Sequence, residues 1–285
     1  DPWETVNQKQ KRAVNGPAQG ETMNLFISSD IEGTCGICDW SEISEGGSGS
    51  ERFAAQMSRE AAAACDGAVH DAELMVRDGH GSARNIISAL LPDNAVLMRG
   101  WEKSPDGMMA GISTGFDACA MVGYHAHAYS TGNPLAHTSE PNIQKLLLNG
   151  EYCSEFRYNA YFAAYYGVPT IFISGDADIC KEAKELIPSI TAVPVIRSHG
   201  GASISIQPER ALQLIREGMA RAIAGDFAAC LPRLPEHFCA DIEYKEYQDA
   251  EKFSYYPGSK RLDAKTVRFE ADDYYEVKRF FMFAI

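Results

Sequence analysis

The feature that most constrains this chain is a recurring sequence unit: a short apolar run of strand length ends directly in carboxylate or imidazole residues, and a helical segment or turn follows. Asn24–Ser29 reads as a buried strand that runs straight into Asp30, Glu32 and Gly33. Residues 51–64 carry Ala, Met, Arg and Glu at helical spacing, and the apolar run 72–76 then ends in Asp78, Gly79 and His80. Residues 95–98 and 118–122 read as further strands, the second ending in Gly123, Tyr124 and His125. Alternation continues with helix 154–166, strand 169–174, a helix around 183–187 that closes before Pro188, and strand 191–196. Helix 208–224 is the clearest of all, with Leu212, Ile215, Met219 and Ile223 on one face. Such alternation predicts an α/β fold in which a mostly parallel sheet is flanked by helices. The last stretch, 240–247, 266–271 and 272–283, reads strand, strand, helix, and predicts a smaller C-terminal α+β portion.

Ligands of open parallel sheets collect beyond the carboxyl ends of the strands. Those ends here supply Asp30 and Glu32, Asp78 and His80, and His125 with His127. Imidazole and carboxylate together are the ligand set of zinc and related ions, and close unpaired carboxylates such as Asp30 and Glu32 would repel without a cation. Each residue also has an ordinary explanation. An aspartate after a strand can cap a helix, Asp78 before Gly79 is turn chemistry, and a lone histidine can be a satisfied core or surface residue. The coincidence at three strand ends, in a chain with seven histidines, makes a metal centre an equal contender.

Charge and cysteine usage narrow the partners. With 39 acidic against 26 basic residues the net charge is −13, which would repel phosphate backbones and anionic lipid, so neither nucleic acid nor membrane is expected as a partner. No apolar run approaches the ~20 residues of a membrane span. Eight cysteines lie mostly inside apolar stretches without the spacing of a disulfide framework, which fits a reducing cytoplasm. Cys35 and Cys38 form one CxxC with no second pair to complete a tetrahedral zinc site. There is no GxSxG elbow, and the glycine-rich stretches lack the lysine of a phosphate loop. Residues 1–22 are polar and read as a leader, tag or loose extension, followed by an α/β domain over 23–196 that would hold the metal centre and its catalytic residues. Residues 197–285 would form the C-terminal α+β portion, packed on the first domain and involved in oligomer contacts through aromatic clusters such as 161–166 and 274–283.

The ordered set SSDIEG (28–33), DGH (78–80) and GYHA (123–126), followed by His137 and Glu155, resembles the zinc-dependent D-aminopeptidases associated with dipeptide-transport operons. Each motif alone is weak, whereas their order and spacing are specific. The resemblance implies a two-zinc site formed by Asp30, Glu32, His80, His125 and Glu155, with an aspartate bridging the ions, and His137 as the catalytic histidine. Between His125 and His137 this chain carries one residue more than the family pattern, and it adds His127, which would share a face with His125 on a strand. Cys35 and Cys38 stand where the family has apolar residues. Removal of amino-terminal D-residues such as D-alanine from short peptides is implied, as is a homodecameric ring with its sites on an inner channel. Two other readings use the same residues: another metal-dependent hydrolase of phosphatase or nucleoside-hydrolase type, which would need a cationic clamp from Arg84 or Arg157, or a non-enzymatic metal- or peptide-binding ring.

Overall fold

A computed structural model describes residues 22–44, 46–68 and 72–285; the leader expected over 1–22 lies, Thr22 apart, outside the described residues. β1 (Asn24–Ser29) lies at the heart of a seven-stranded sheet, between β2 (Glu73–Asp78) and β4 (Ala118–Tyr124). β3 (Ala95–Met98) flanks β2, and β7 (Thr170–Asp176), β8 (Thr191–His199) and β9 (Ala202–Ser205) continue beyond β4 in that order. Every pairing is parallel except β8 with β9, which doubles back through Gly200 at φ 60°. Every residue of β1, β4 and β7 is buried, as a parallel sheet covered on both faces requires. The covering helices come in two contacting pairs, α1 (Ser50–Gly67) with α4 (Pro208–Ile223), and α2 (Glu155–Tyr165) with α3 (Ala177–Leu186). The expected α/β class therefore holds.

A second, five-stranded antiparallel sheet has the order β11-β12-β10-β5-β6. Its strands are β5 (Ile143–Leu148), β6 (Glu151–Tyr152), β10 (Phe238–Tyr244), β11 (Lys260–Arg261) and β12 (Thr266–Ala271). Helices α5 (Tyr247–Phe253) and α6 (Tyr274–Ala284) pack on it. The strand expected to reach residue 247 stops at Tyr244, and α5 begins in its place. Segments on either side of residue 196 interleave between the sheets: β5 and β6 join β10, while β9 and α4 stay with the first sheet.

The aromatic clusters expected at subunit contacts are largely spent inside the chain. Tyr161 meets Tyr274 with ring centroids 5.9 Å apart, and Phe162 meets Tyr275 at 6.2 Å, so α2 is fastened to α6 and the two sheets are joined. No described helix is long and apolar enough to cross a membrane.

Candidate metal and catalytic centre

The site forms where the carboxyl ends of β1, β2 and β4 converge, and glycines bring these ends together. Gly123 sits at φ 74°, a conformation that side chains disfavour, and a Cβ there would lie 2.2 Å from the Asp30 carbonyl oxygen. A Cβ on Gly33 would lie 1.8 Å from the carbonyl oxygen of Tyr124. The bare backbones close instead through Asp30 N–H to Val122 O and Gly33 N–H to Gly123 O, both 2.8 Å, which sets Asp30 and Glu32 beside His125.

His80 is presented by the loop after β2. Asp78 shapes that loop, accepting from the amides of Asn85 at 2.5 Å and Ile86 at 2.7 Å, so this carboxylate is consumed by turn formation. Glu155 is the first residue of α2, whose N-cap Ser154 accepts from the Arg157 amide at 3.1 Å. The amide of Ser139 donates to Glu155 Oε1 at 2.7 Å and draws the loop that carries His137 over it.

Six side chains converge. His80 Nδ1 lies 3.0 Å from Glu32 Oε1 and 3.5 Å from Asp30 Oδ1. His125 Nε2 lies 3.4 Å from both Asp30 Oδ2 and Glu155 Oε1. His137 Nε2 stands 3.7 Å from Glu155 Oε1 and 3.9 Å from Glu32 Oε1, its ring stacked on that of His125 at 4.3 Å and touched edge-on by Trp40. The Nδ1 atoms of His125 and His137 face the carbonyl oxygens of Ala126 and Leu135 at 3.0 and 2.9 Å. A carbonyl only accepts, so Nδ1 carries the proton in each ring and the Nε2 lone pair points into the cluster.

Three carboxylates and three imidazoles share a buried space, and their hydrogen bonding is incomplete. Asp30 Oδ2, Glu32 Oε2 and His125 Nε2 are buried with no hydrogen-bond partner, an arrangement that costs free energy unless something else binds them. Burial alone would push the Asp30 carboxyl up, yet the imidazoles of His125 and His80 outweigh it and hold the group well below its ordinary value. Burial likewise disfavours imidazolium, but Glu155 and Asp30 raise His125 well above the ordinary range. The site thus seeks positive charge. Two donor clusters with atoms within 4.8 Å stand out among the described residues: Asp30, Glu32 and His125, and His125, His137 and Glu155. Imidazole nitrogen and carboxylate oxygen are donors that suit zinc.

All five expected ligands and His137 are therefore brought together, and the structure puts His137 within reach of the ligand set as well as of the cleft. His127 is not brought in. β4 ends at Tyr124, so the shared strand face expected for His125 and His127 does not form, and the His127 ring stacks on Tyr152 at 4.8 Å. Cys35 donates its thiol to the Ile206 carbonyl, burial pushes that thiol up to about 12, and no cysteine belongs to a donor cluster among the described residues. Sequence reasoning missed Asp176, at the end of β7, which accepts from the Ala126 amide at 2.6 Å and Asn133 Nδ2 at 3.1 Å and so anchors both ends of the loop between His125 and His137. The SGD run at this fourth strand end was the available signal.

A cleft of about 530 Å³ opens over Asp30, Glu32, His80, His137 and Glu155 and runs toward Tyr158, Lys278 and Phe281. That is ample for a short peptide. Neither Arg84 nor Arg157 lines it, and Arg157 is engaged by Glu182 at 3.1 Å, so neither arginine supplies the clamp that the phosphate-cleaving reading would need.

A buried carboxylate–imidazole cluster at the strand ends of an α/β sheet, open to a peptide-sized cleft, defines a metallohydrolase. The family model for D-aminopeptidase matches residues 23–283, and the chain belongs to that family, whose members are metallo-aminopeptidases acting on peptide bonds. A D-aminopeptidase of Bacillus subtilis (strain 168) is 30% identical over 258 residues, 89% of this chain and 93% of its own length. The solved structure of the Zn-dependent D-aminopeptidase DppA from Bacillus subtilis, a self-compartmentalizing protease, superposes with a TM-score of 0.84 at 29% identity over 92% of this chain and 96% of that one.

Proposed function

We propose that this chain is a dinuclear zinc aminopeptidase that removes an amino-terminal D-residue, D-alanine foremost, from short peptides. The observation that carries the proposal is the buried convergence of Asp30, Glu32, His80, His125 and Glu155, with orphaned donor atoms, in a member of the D-aminopeptidase family. These five residues would hold two zinc ions. Asp30 presents Oδ1 to His80 and Oδ2 to His125, which supports its reading as the bridge. Zinc bound here would supply Lewis acidity at the scissile carbonyl and a water acidified to a pKa of about 7.

The chain's own groups do the rest. His137, protonated at Nδ1 by its contact with Leu135 O, keeps Nε2 free to act as nucleophile or to accept a proton as general base. Its stacking on His125 and the edge contact from Trp40 hold the ring in that orientation. The requirement for a free α-amine, the group that distinguishes an aminopeptidase substrate, rests on family membership. Preference for the D-configuration rests on family membership.

The reading extends to assembly and compartment. A homodecameric ring is supported by the self-compartmentalizing solved relative and by exposed apolar side chains such as Tyr255, Leu262 and Phe283. All eight cysteines are free, which supports a reducing cytoplasm.

Matched D-Ala and L-Ala dipeptides and p-nitroanilides, assayed with and without chelator, test the activity. The proposal expects the D-substrates to turn over and the chelator to stop them. Equal turnover of D- and L-substrates, or of amino-acetylated ones, would contradict it. Light scattering that shows a monomer at micromolar concentration would contradict the ring.

A further inference from the structure

Lys278 stands in the cleft without a role in the chemistry above. It belongs to α6 and is only 5% exposed, and it makes neither a hydrogen bond nor an ion pair with another described residue. Its ammonium lies instead over the rings of Tyr158 and Phe162, at 4.5 and 5.1 Å from their centroids. Buried lysines are rare unless they are paired, because the charge loses its hydration. In direct contact the compensation comes from the aromatic faces, which attract a desolvated cation. Burial pulls the Lys278 amine down to about 8, with Asp106 and Glu155 acting in the opposite sense.

Its position relative to the catalytic centre gives this charge a use. Tyr158 follows Glu155 by three residues on α2, so the two side chains are neighbours on one helix face, with Cβ atoms ~5–6 Å apart. Ser139 ties them together, its amide on Glu155 Oε1 and its hydroxyl 2.8 Å from the Tyr158 hydroxyl. Lys278, seated over the Tyr158 ring, therefore lines the same cleft as Asp30, Glu32, His80 and Glu155. One extended residue spans ~3.3–3.6 Å, so a peptide with its first carbonyl at the cluster carries its free carboxylate into this neighbourhood within one or two residues.

We infer that Lys278 is the binding residue for the carboxylate of a dipeptide or tripeptide substrate, and that the enzyme selects peptides short enough to place it there. The inference rests on the aminopeptidase reading and adds the substrate class. The two ends of the cleft fix the orientation: the first peptide carbonyl goes to the ligand cluster and the free carboxylate to Lys278. A peptide whose carboxylate is amidated, or displaced by further residues, leaves the ammonium unpaired and loses affinity.

The test compares D-Ala-Gly with D-Ala-Gly-amide in the zinc-loaded enzyme. The wild type is expected to favour the free acid by about 10- to 100-fold in kcat/KM, the scale of one charge-assisted hydrogen bond, and chiefly through KM. Lys278→Met, which keeps an unbranched apolar stem against the rings, is expected to bring that ratio close to one, and Lys278→Arg to restore part of it. Equal kcat/KM for acid and amide in the wild type overturns the inference whether or not the variants fold, and so does an undiminished preference in Lys278→Met. Failure to cleave either compound would overturn the aminopeptidase reading, and this inference with it. Cleavage of both at the same efficiency would overturn the inference alone.

Discussion

The carboxyl ends of β1 and β7 carry similar hexapeptides, SSDIEG at 28–33 and SGDADI at 174–179, and each buries the aspartate that follows or ends the strand. Asp176 spends its oxygens on protein donors: Oδ1 accepts from the Ile179 amide at 2.8 Å, and Oδ2 from the Ala126 amide and Asn133. Asp30 accepts one local amide, that of Ile31 at 2.9 Å, and its Oδ2 faces His125 with no hydrogen bond. Both are buried carboxylates, yet burial pushes Asp176 up, while His125 and His80 overcome burial and hold Asp30 well down. What separates the two carboxylates is therefore the group each faces. Backbone amides commit Asp176 to fixing a loop, whereas the imidazoles beside Asp30 leave one of its oxygens without a hydrogen bond.

Substitution at the β1 end should break this contrast most severely. Asp30→Ala is expected to lower turnover by on the order of 10³ or more and to strip zinc from the chain, because the bridge and the charge go together. Metal content and rate measured on one sample check it; zinc retained at wild-type level would remove Asp30 from the ligand set. His137→Ala is expected to cost 10² to 10⁴ in turnover, as for a lost general base, with zinc still bound. Loss of zinc in that variant would make His137 a ligand, a role its 3.7 Å approach to Glu155 also admits.

Glu60 sharpens the comparison from a third direction, as a buried carboxylate with an orphaned Oε2 and no imidazole among its polar contacts. Burial pushes it from 4.5 up to about 7, against the donors Gln56 and Cys35. The fold favours its neutral form, so the stability it lends is full below pH ~4.5 and is lost as pH rises to about 7, on the order of 3 kcal/mol in all. Chemical denaturation between pH 5 and 8 should show that slope in the wild type and its absence in Glu60→Gln; parallel profiles would contradict it. Smallest is Asp176→Ala, expected to cost about 2 kcal/mol of stability through its lost amide contacts while zinc is retained. Zinc loss there would show that loop anchoring and metal binding are not separable.

The strand-end residues were legible because β1, β2 and β4 are buried parallel strands whose apolar runs stop abruptly at Asp30, His80 and His125. Glu155 and His137 were legible only through resemblance. A glutamate in the first turn of a helix is common, and a histidine in a Gly/Pro/Ser-rich loop has no periodic signature. In the second sheet β10, β12 and α6 were read from the sequence, whereas β5 escaped because its pairing with β10 spans about ninety residues, Leu148 opposite Ala240, and nothing local marks such a partner. Lys278 escaped for the opposite reason: within an aromatic helix its sequence context matches that of any solvated lysine, and only the packing of α6 on α2 buries it.

The central claim is that the buried cluster is a two-cation site, and elemental analysis of the zinc-replete wild-type chain tests it directly. The account predicts close to two zinc ions per chain, with turnover abolished by chelator and restored by zinc. A chain that binds no zinc-class ion, and whose turnover of D-Ala dipeptides is indifferent to chelator, would contradict it.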